Sequence, residues 1–169
     1  MPDPAAIAPL VIREAQAGDA EGLWRVLEPV VRDGATYPVE PDTDRGAIFA
    51  YWFAPDKTVF VAERAGEIVG TYYLKPNSTG PGAHVVNAGY MVRPDSRGTG
   101  IGKAMTSDSF ERARRLDFHA MQFNLVVATN EAAIHLYRGL GMSEVGRLPQ
   151  AFRHKDLGLV DAIVMYRLL

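Results

Sequence analysis

The stretch best suited to binding chemistry is Arg97-Gly98-Thr99-Gly100-Ile101-Gly102. It follows apolar, strand-like Tyr90-Met91-Val92 and a turn at Arg93-Pro94-Asp95, and it precedes a helical stretch. A strand that feeds a glycine-rich turn opening a helix forms a phosphate cradle. Glycines let successive backbone N–H groups converge on one point, and the helix N-terminus adds partial positive charge. Arg97 adds a cationic fork. The spacing excludes two common nucleotide loops. A Walker A loop needs Gly-Lys-Ser/Thr at a fixed distance from its first Gly, and here Lys103 is followed by Ala104. A dinucleotide fingerprint needs Gly-x-Gly-x-x-Gly, and Lys103 or Met105 stands where its third Gly belongs. What remains is Arg-x-x-Gly-x-Gly, and the alternative to a cradle is an ordinary glycine-rich helix start.

Further chemistry-bearing side chains flank this turn. Asn87 lies on the strand before it, and Asn124 interrupts the apolar run Gln122–Thr129. A carboxamide in an apolar strand costs a few kcal/mol unless it is paired, so Asn124 calls for a polar ligand, a water or a neighbour. Asn130 precedes Tyr137 by one helical stretch. A phenol of ordinary pKa, about 10, is a proton donor at neutral pH; the alternative for Tyr137 is a buried aromatic with a structural partner. His84 and His119 are weaker candidates as bases acting through water, and Glu63 and Glu40 weaker still.

Elements must hold these groups in place. Leu10–Arg13 reads as a strand. A helix capped by Asp19 carries Leu23, Val26, Leu27 and Val30 at helical spacing, with Pro29 expected to kink or end it. Arg32–Val39 reads as a loop, and a second helix, Asp44–Phe53 behind Thr43, is rich in aromatics including Tyr51 and Trp52. Thr58–Glu63 and Glu67–Lys75 form a hairpin around Arg64-Ala65-Gly66. Val85–Val92 is the next strand, where Gly89 suggests a bulge or a close backbone approach. The helix Gly100–Leu116 is expected to face the sheet through Ile101, Met105 and Leu116 and to point Phe110 outward. Met121–Thr129 is a strand, Glu131–Leu140 a helix, and Ser143–Leu148 and Leu159–Arg167 the last two strands, with a polar loop between them. The order is βααβββαβαββ, a mixed α/β fold with helices on both faces of one sheet.

Composition sets bounds. At 169 residues the chain is expected to form one domain, residues 10–169, behind a short flexible leader, residues 1–9. A formal net charge of −2 marks neither a nucleic-acid nor an anionic-membrane binder. With no cysteine in the chain, disulfides, a thiolate nucleophile and thiolate metal sites are excluded, and no metal site is expected. No apolar run reaches membrane-spanning length and no signal peptide stands at the N-terminus, so the expected location is the cytoplasm.

The element order, the Arg-x-x-Gly-x-Gly turn, and Asn130 followed by Tyr137 and then Gly139-Leu140-Gly141-Met142 together resemble the Gcn5-related N-acetyltransferases, from about Leu10 to Leu169. Met142 stands where that family has Phe. The resemblance implies a mostly antiparallel sheet of about six or seven strands splayed in the middle, about four helices, and acetyl-CoA as donor. It implies that main-chain groups of Met91 and Val92 hold the pantetheine arm as an added strand. A backbone N–H near Met91 would polarise the thioester carbonyl. Arg97, Gly98, Thr99, Gly100, Ile101, Gly102 and Lys103 would hold the pyrophosphate. Asn130 and Ala133 would contact the arm, and Tyr137 would protonate the leaving thiolate. Many relatives place a Glu on the strand before the cradle; here it has no carboxylate, and Asn87 would orient the amine instead.

A narrower resemblance runs through Tyr51-Trp52-Phe53, Tyr73-Leu74-Lys75-Pro76-Asn77, His84–Tyr90, Phe123-Asn124-Leu125-Val126 and Val160-Asp161-Ala162-Ile163. These stretches are similar to the fungal acetyltransferases of proline analogues, which carry Trp where this chain has Tyr137. That likeness implies that Asn87 and Asn124 contact the amine and carboxylate of a small acceptor, with Tyr73 and Trp52 in the substrate pocket. A peptide or protein N-acetyltransferase and a non-catalytic acetyl-CoA sensor are the alternatives. An outward Phe110 would mark a homodimer contact.

Overall fold

The computed structural model describes residues 8–169, so most of the expected leader lies outside the described residues. Among the described residues, seven strands form one sheet in the order β1-β2-β3-β4-β5-β7-β6. They are β1 Leu10–Glu14, β2 Thr58–Arg64, β3 Glu67–Pro76, β4 Val85–Val92, β5 Ala120–Val127, β6 Ser143–His154 and β7 Gly158–Leu168. The helices are α1 Ala20–Asp33, α2 Arg45–Trp52, α3 Ile101–Arg115 and α4 Glu131–Gly139. All pairings are antiparallel except β4 with β5.

The central strands are apolar on both sides because both sides are covered. Alternate residues separate cleanly: Val59, Val61, Tyr73 and Met91 pack with Leu23, Val26, Leu27 and Val30 of α1 and with Ile48 and Trp52 of α2. Phe60, Ala62, Tyr72 and Leu74 pack with Ile101, Met105 and Ala113 of α3 and Ile134 of α4. Pro29 does not end α1. Val30 and Val31 follow it into the core, and the helix runs on to a left-handed Gly34; burial of two more valines outweighs the lost hydrogen bond. Asp19 donates no cap. Its carboxylate takes both arms of Arg13, at 2.8 and 2.9 Å, and the Gln16 N–H at 2.7 Å. Asp44, not Thr43, caps α2 by accepting from the Ala47 N–H at 2.9 Å.

β4 and β5 are joined by only two residue pairs, Val85 with Ala120 and Val86 with Met121. Beyond Val86 the two strands separate, and a cleft opens in the middle of the sheet. The β3–β4 register is unbroken through Tyr73 and Gly89, so Gly89 is not a bulge. It marks a close approach instead, because a Cβ there would lie 2.7 Å from Tyr73 Cε1. The irregularity sits on the other bank, where β5 loses its register with β7 between Phe123 and Val126.

Two expectations for α3 are overturned. Leu116 is exposed, and Phe110 is 4% exposed, with the Arg167 guanidinium 4.6 Å from its ring centroid. The helix packs on β1, β3 and β4 and is covered on a second side by Arg167 of β7, so it buries a wider arc than one stripe, and Phe110 cannot mark a homodimer contact. Most of the stretch expected as a polar loop before Leu159 is strand instead, with only residues 155–157 left as a turn: Phe152 pairs with Val160, Arg153 with Leu159 and His154 with Gly158. Asp161 holds the irregularity in this hairpin, accepting from the Gln150 N–H at 3.0 Å and from Arg147 at 3.1 Å.

Candidate active site

A cavity of about 580 Å³ occupies the cleft between β4 and β5, a size typical of small-molecule sites. One bank is β4, from Asn87 to Val92; the other is Phe123 to Val127 of β5, with Asn130, Ala133 and Tyr137 of the following cap and helix. Tyr37, from the loop after α1, closes one side by donating its hydroxyl to the Tyr90 carbonyl at 2.8 Å.

Arg97 and Gly102 line the mouth. Gly98 and Gly100 have φ of +76° and +82°, where a side chain would be strained, and no atom lies within 4 Å of a Cβ built on either. Gly100 starts α3 with no side-chain cap. The N–H groups of Ile101, Gly102 and Lys103 therefore lack intrahelical acceptors, which is the arrangement an anion requires. The Ile101 side chain is buried in the core, so only its main chain serves the cradle. Thr99 donates to the Ser96 carbonyl at 2.7 Å and accepts from Arg64 at 3.3 Å; its hydroxyl shapes the turn. Lys103 is exposed at the rim and does not line the cavity. Met91 and Val92 stand on the edge of β4 that β5 has left, so their edge of the ladder is open to an extended ligand.

Asn130 caps α4, its side-chain oxygen accepting from the Ala133 N–H at 3.3 Å. Its amide NH₂ has no protein partner among the described residues and lies at the cavity wall. Tyr137 projects from α4 into an aromatic cluster, 4.7 Å from the Phe123 centroid and 6.0 Å from that of Tyr90. Its hydroxyl has no protein hydrogen-bond partner among the described residues, and burial holds the phenol above its ordinary pKa. At neutral pH Tyr137 is therefore a protonated donor without a structural obligation.

Across the cleft, Asn87, Tyr73 and Asn124 all line the cavity. Asn124 sits where the register of β5 with β7 shifts. It is exposed, accepting from Gln122 at 2.9 Å and donating to the Asn77 carboxamide at 2.8 Å. Its polar cost is met by neighbours on both sides of the cleft. Trp52 is the exception among the expected pocket residues. It is fully buried, its indole N–H is spent on Thr71 at 3.1 Å, and its ring stands 4.9 Å from Tyr73. It supports a wall residue from behind, because an indole this large fills the space between α2 and the sheet.

His84 and His119 face each other with centroids 6.1 Å apart, away from the cavity. Glu63 is engaged by Arg13. Asp33, exposed at the end of α1, is the one carboxylate lining the cavity among the described residues. Sequence reasoning missed Tyr37, Lys57 and Lys75, which also line it. Tyr37 stands in a stretch read as loop and Lys57 just before a strand, so neither lies on a periodic face. Only the lone aromatic in RDGATYPV hinted at Tyr37.

Known proteins agree with this geometry. A family profile described as the acetyltransferase (GNAT) family matches residues 24–142. N-acetyltransferase aca1 of Schizosaccharomyces pombe is 30% identical over 148 residues, covering 78% of this chain and 71% of that protein. The mycothiol acetyltransferase of Acidothermus cellulolyticus is 38% identical over 109 residues, 56% of this chain, which spans about a third (32%) of that longer protein. Among solved structures, a GCN5-related N-acetyltransferase from Kribbella flavida superposes with a TM-score of 0.88 at 36% identity, covering 95% of this chain and 98% of that one. A phosphinothricin acetyltransferase from Sinorhizobium meliloti, solved in complex with acetyl-CoA, shares the fold at a TM-score of 0.82 and 23% identity, covering 95% and 88% of the two chains. An uncapped glycine-rich helix start beside a divided sheet, in a chain that a family profile matches for most of its length, has one reading: the chain belongs to the acetyltransferase (GNAT) family.

Proposed function

We propose that this N-acetyltransferase transfers the acetyl group of acetyl-CoA to the amine of a small molecule, with amino acids and proline analogues as the expected class. The observation that carries this reading is the shape of the acceptor end. The Tyr37 hydroxyl bonds to the Tyr90 carbonyl across it, and Asn87 and Asn124 lie among its walls. A cavity closed in this way suits a small acceptor better than a peptide laid in a groove.

The cradle fits acetyl-CoA. Arg97, Gly98, Gly100 and the first-turn amides of α3 would take the pyrophosphate, the open edge of β4 at Met91 and Val92 the arm, and the free NH₂ of Asn130 an arm carbonyl. Bound acetyl-CoA supplies an activated thioester to direct attack by a neutral amine. The chain's residues do the rest. Asn87 accepts a hydrogen bond from the amine and fixes its direction. Tyr37, Tyr73 and Tyr90 make a poorly hydrated wall that favours the uncharged amine. A main-chain N–H at the β4 edge stabilises negative charge on oxygen; as the C–S bond breaks Tyr137 gives its proton to the departing sulfur, and the proton shed by the acetylated nitrogen restores the phenol.

An amine-panel assay for thiol release tests this reading. Release with small amino acids or proline analogues, and none with peptides, is expected. Acetylation of peptides alone would replace it with the peptide reading. Tight acetyl-CoA binding without release for any amine would favour a sensor. We also propose a cytoplasmic location, supported by the cysteine-free composition and to be checked by cell fractionation, and a homodimer. With Phe110 buried, the support for a dimer is the edge strand β6, which is exposed along nearly its whole length; light scattering giving a monomer mass would remove it.

A further inference from the structure

A pair of cations sits at the end of the cavity remote from Arg97. Lys75 pairs with Asn87 in the β3–β4 register, five residues along β4 from Val92, or roughly 17 Å from the strand end that leads into the cradle. Paired residues on adjacent strands project to the same face, so Lys75 and Asn87 share one wall with Tyr73 and Gly89. Lys57 joins them. Its ammonium lies 3.8 Å from the Tyr51 ring centroid and 4.4 Å from that of Tyr73, and donates to the Tyr51 carbonyl. Lys75 has a carboxylate partner, Asp56, at 3.3 Å on the outer side. Lys57 has none among the described residues. Among the described residues Asp33, on α1, is the one acid that lines the cavity.

An ammonium carries three donors, and Lys57 uses one of them on protein. Burial and the neighbouring charge of Lys75, opposed by Asp56, bring its pKa down to about 8. A half-buried cation beside a second cation, with donors to spare, is stabilised by an anion placed between them. A further cation is repelled. The aromatic pair that could cage a cationic ligand is already filled by Lys57 itself.

Resting on the acetyltransferase reading, we propose that Lys57, assisted by Lys75, is an anion subsite that binds the carboxylate of the acceptor, so the enzyme selects amines bearing a carboxylate close to the nitrogen. Asn87 and Lys75 stand on directly paired residues, so one small amino acid reaches both, its nitrogen at Asn87 and its carboxylate at the lysines. Diamines and lysine side chains, which would bring positive charge to this end, are disfavoured.

The test compares matched pairs, L-azetidine-2-carboxylate and L-proline against their carboxamides, in the wild type, Lys57→Met and Lys57→Arg. From the strength of a hydrogen bond to a charged group, a preference of roughly 10- to 150-fold in kcat/KM for the acids is expected in the wild type. Lys57→Met should raise KM for the acids by a similar factor, while the carboxamides and acetyl-CoA stay within about threefold; Lys57→Arg should keep most of the preference. Equal use of acid and carboxamide by the wild type, or an equal loss on both in Lys57→Met, overturns the proposal. Should no amine be acetylated, the small-amine reading fails, and calorimetric titration of acid and carboxamide into the CoA-loaded protein still decides the subsite. Binding of the acid that is lost in Lys57→Met supports it, and equal or absent binding of both ligands overturns it.

Discussion

Replacing Tyr137 with Phe separates chemistry from architecture cleanly, because the hydroxyl has no protein partner among the described residues and the ring is held by Phe123 and Tyr90. Removing one oxygen keeps those contacts. Stability should change by less than about 0.5 kcal/mol, or roughly 1–2 °C in Tm for a domain of this size. A positioned general acid contributes about 10²–10⁴-fold. A thiolate is a modest base, with a thiol pKa of about 8.5, so the lower end applies: kcat should fall about 10²-fold, or about 2.7 kcal/mol in activation free energy. Acetyl-CoA KM should stay within about threefold. Thiol release can be followed with a thiol-trapping reagent without background from the enzyme, since the chain has no cysteine. Burial raises the Tyr137 phenol above its ordinary value, so it stays protonated through the usual assay range and should produce no alkaline loss of kcat below about pH 10. The acid role is refuted if Tyr137→Phe retains kcat within about threefold, and the separation fails if Tm falls by more than about 5 °C.

Three other substitutions probe the walls and the frame. Gly89→Ala places a Cβ 2.7–2.8 Å from three atoms of the Tyr73 side chain, which Trp52 and Lys57 back. Overpacking should cost about 1–3 kcal/mol and raise the acceptor KM, as read by melting curves and steady-state kinetics. Trp52→Phe removes the bond to buried Thr71 and leaves space in the core; about 2–4 kcal/mol of stability should be lost while KM values below the melting range move less than threefold. Asp19 is held below the ordinary carboxylate range first by Arg13, against the opposing effect of burial, and further by the Gln16 N–H. Its contribution is therefore complete above the unfolded pKa of about 3.9 and disappears as pH falls through the lower folded value. Asp19→Asn should cost about 1–3 kcal/mol at pH 7 in urea unfolding and flatten the acid limb of stability.

The parts legible in the sequence are those written locally. The cradle depends on where glycines fall relative to a strand end and a helix start, and those positions are adjacent in the chain. Alternation in Thr58–Glu63 and helical spacing at Leu23, Val26 and Leu27 likewise follow from neighbouring residues. Phe110 is illegible because a helical wheel assumes one flat surface, whereas α3 packs on β1, β3 and β4 and is also covered by Arg167 of β7. The outer half of the β6–β7 hairpin left no pattern, since β6 buries only Phe152 and is held by main-chain pairing. Trp52 shows that aromatic content does not separate a pocket from the layer behind it. Lys57 and Tyr37 became neighbours of the site only through tertiary packing, and no spacing rule brings a loop tyrosine to a strand carbonyl.

The two-pair seam between β4 and β5 also has a mechanical consequence. The N-terminal leaf of the sheet, β1 to β4, and the C-terminal leaf, β5 to β7, are riveted at one end by that seam and strapped by α3, and little else of the ladder crosses between them. An extended molecule lying along the open bank of β4 therefore acts as a second rivet. At a ligand concentration of about 100 Kd, mass action adds about 2.7 kcal/mol to the folded state, or roughly 5–11 °C in Tm. Amide exchange along Met121–Val127 should therefore slow when the cleft is filled.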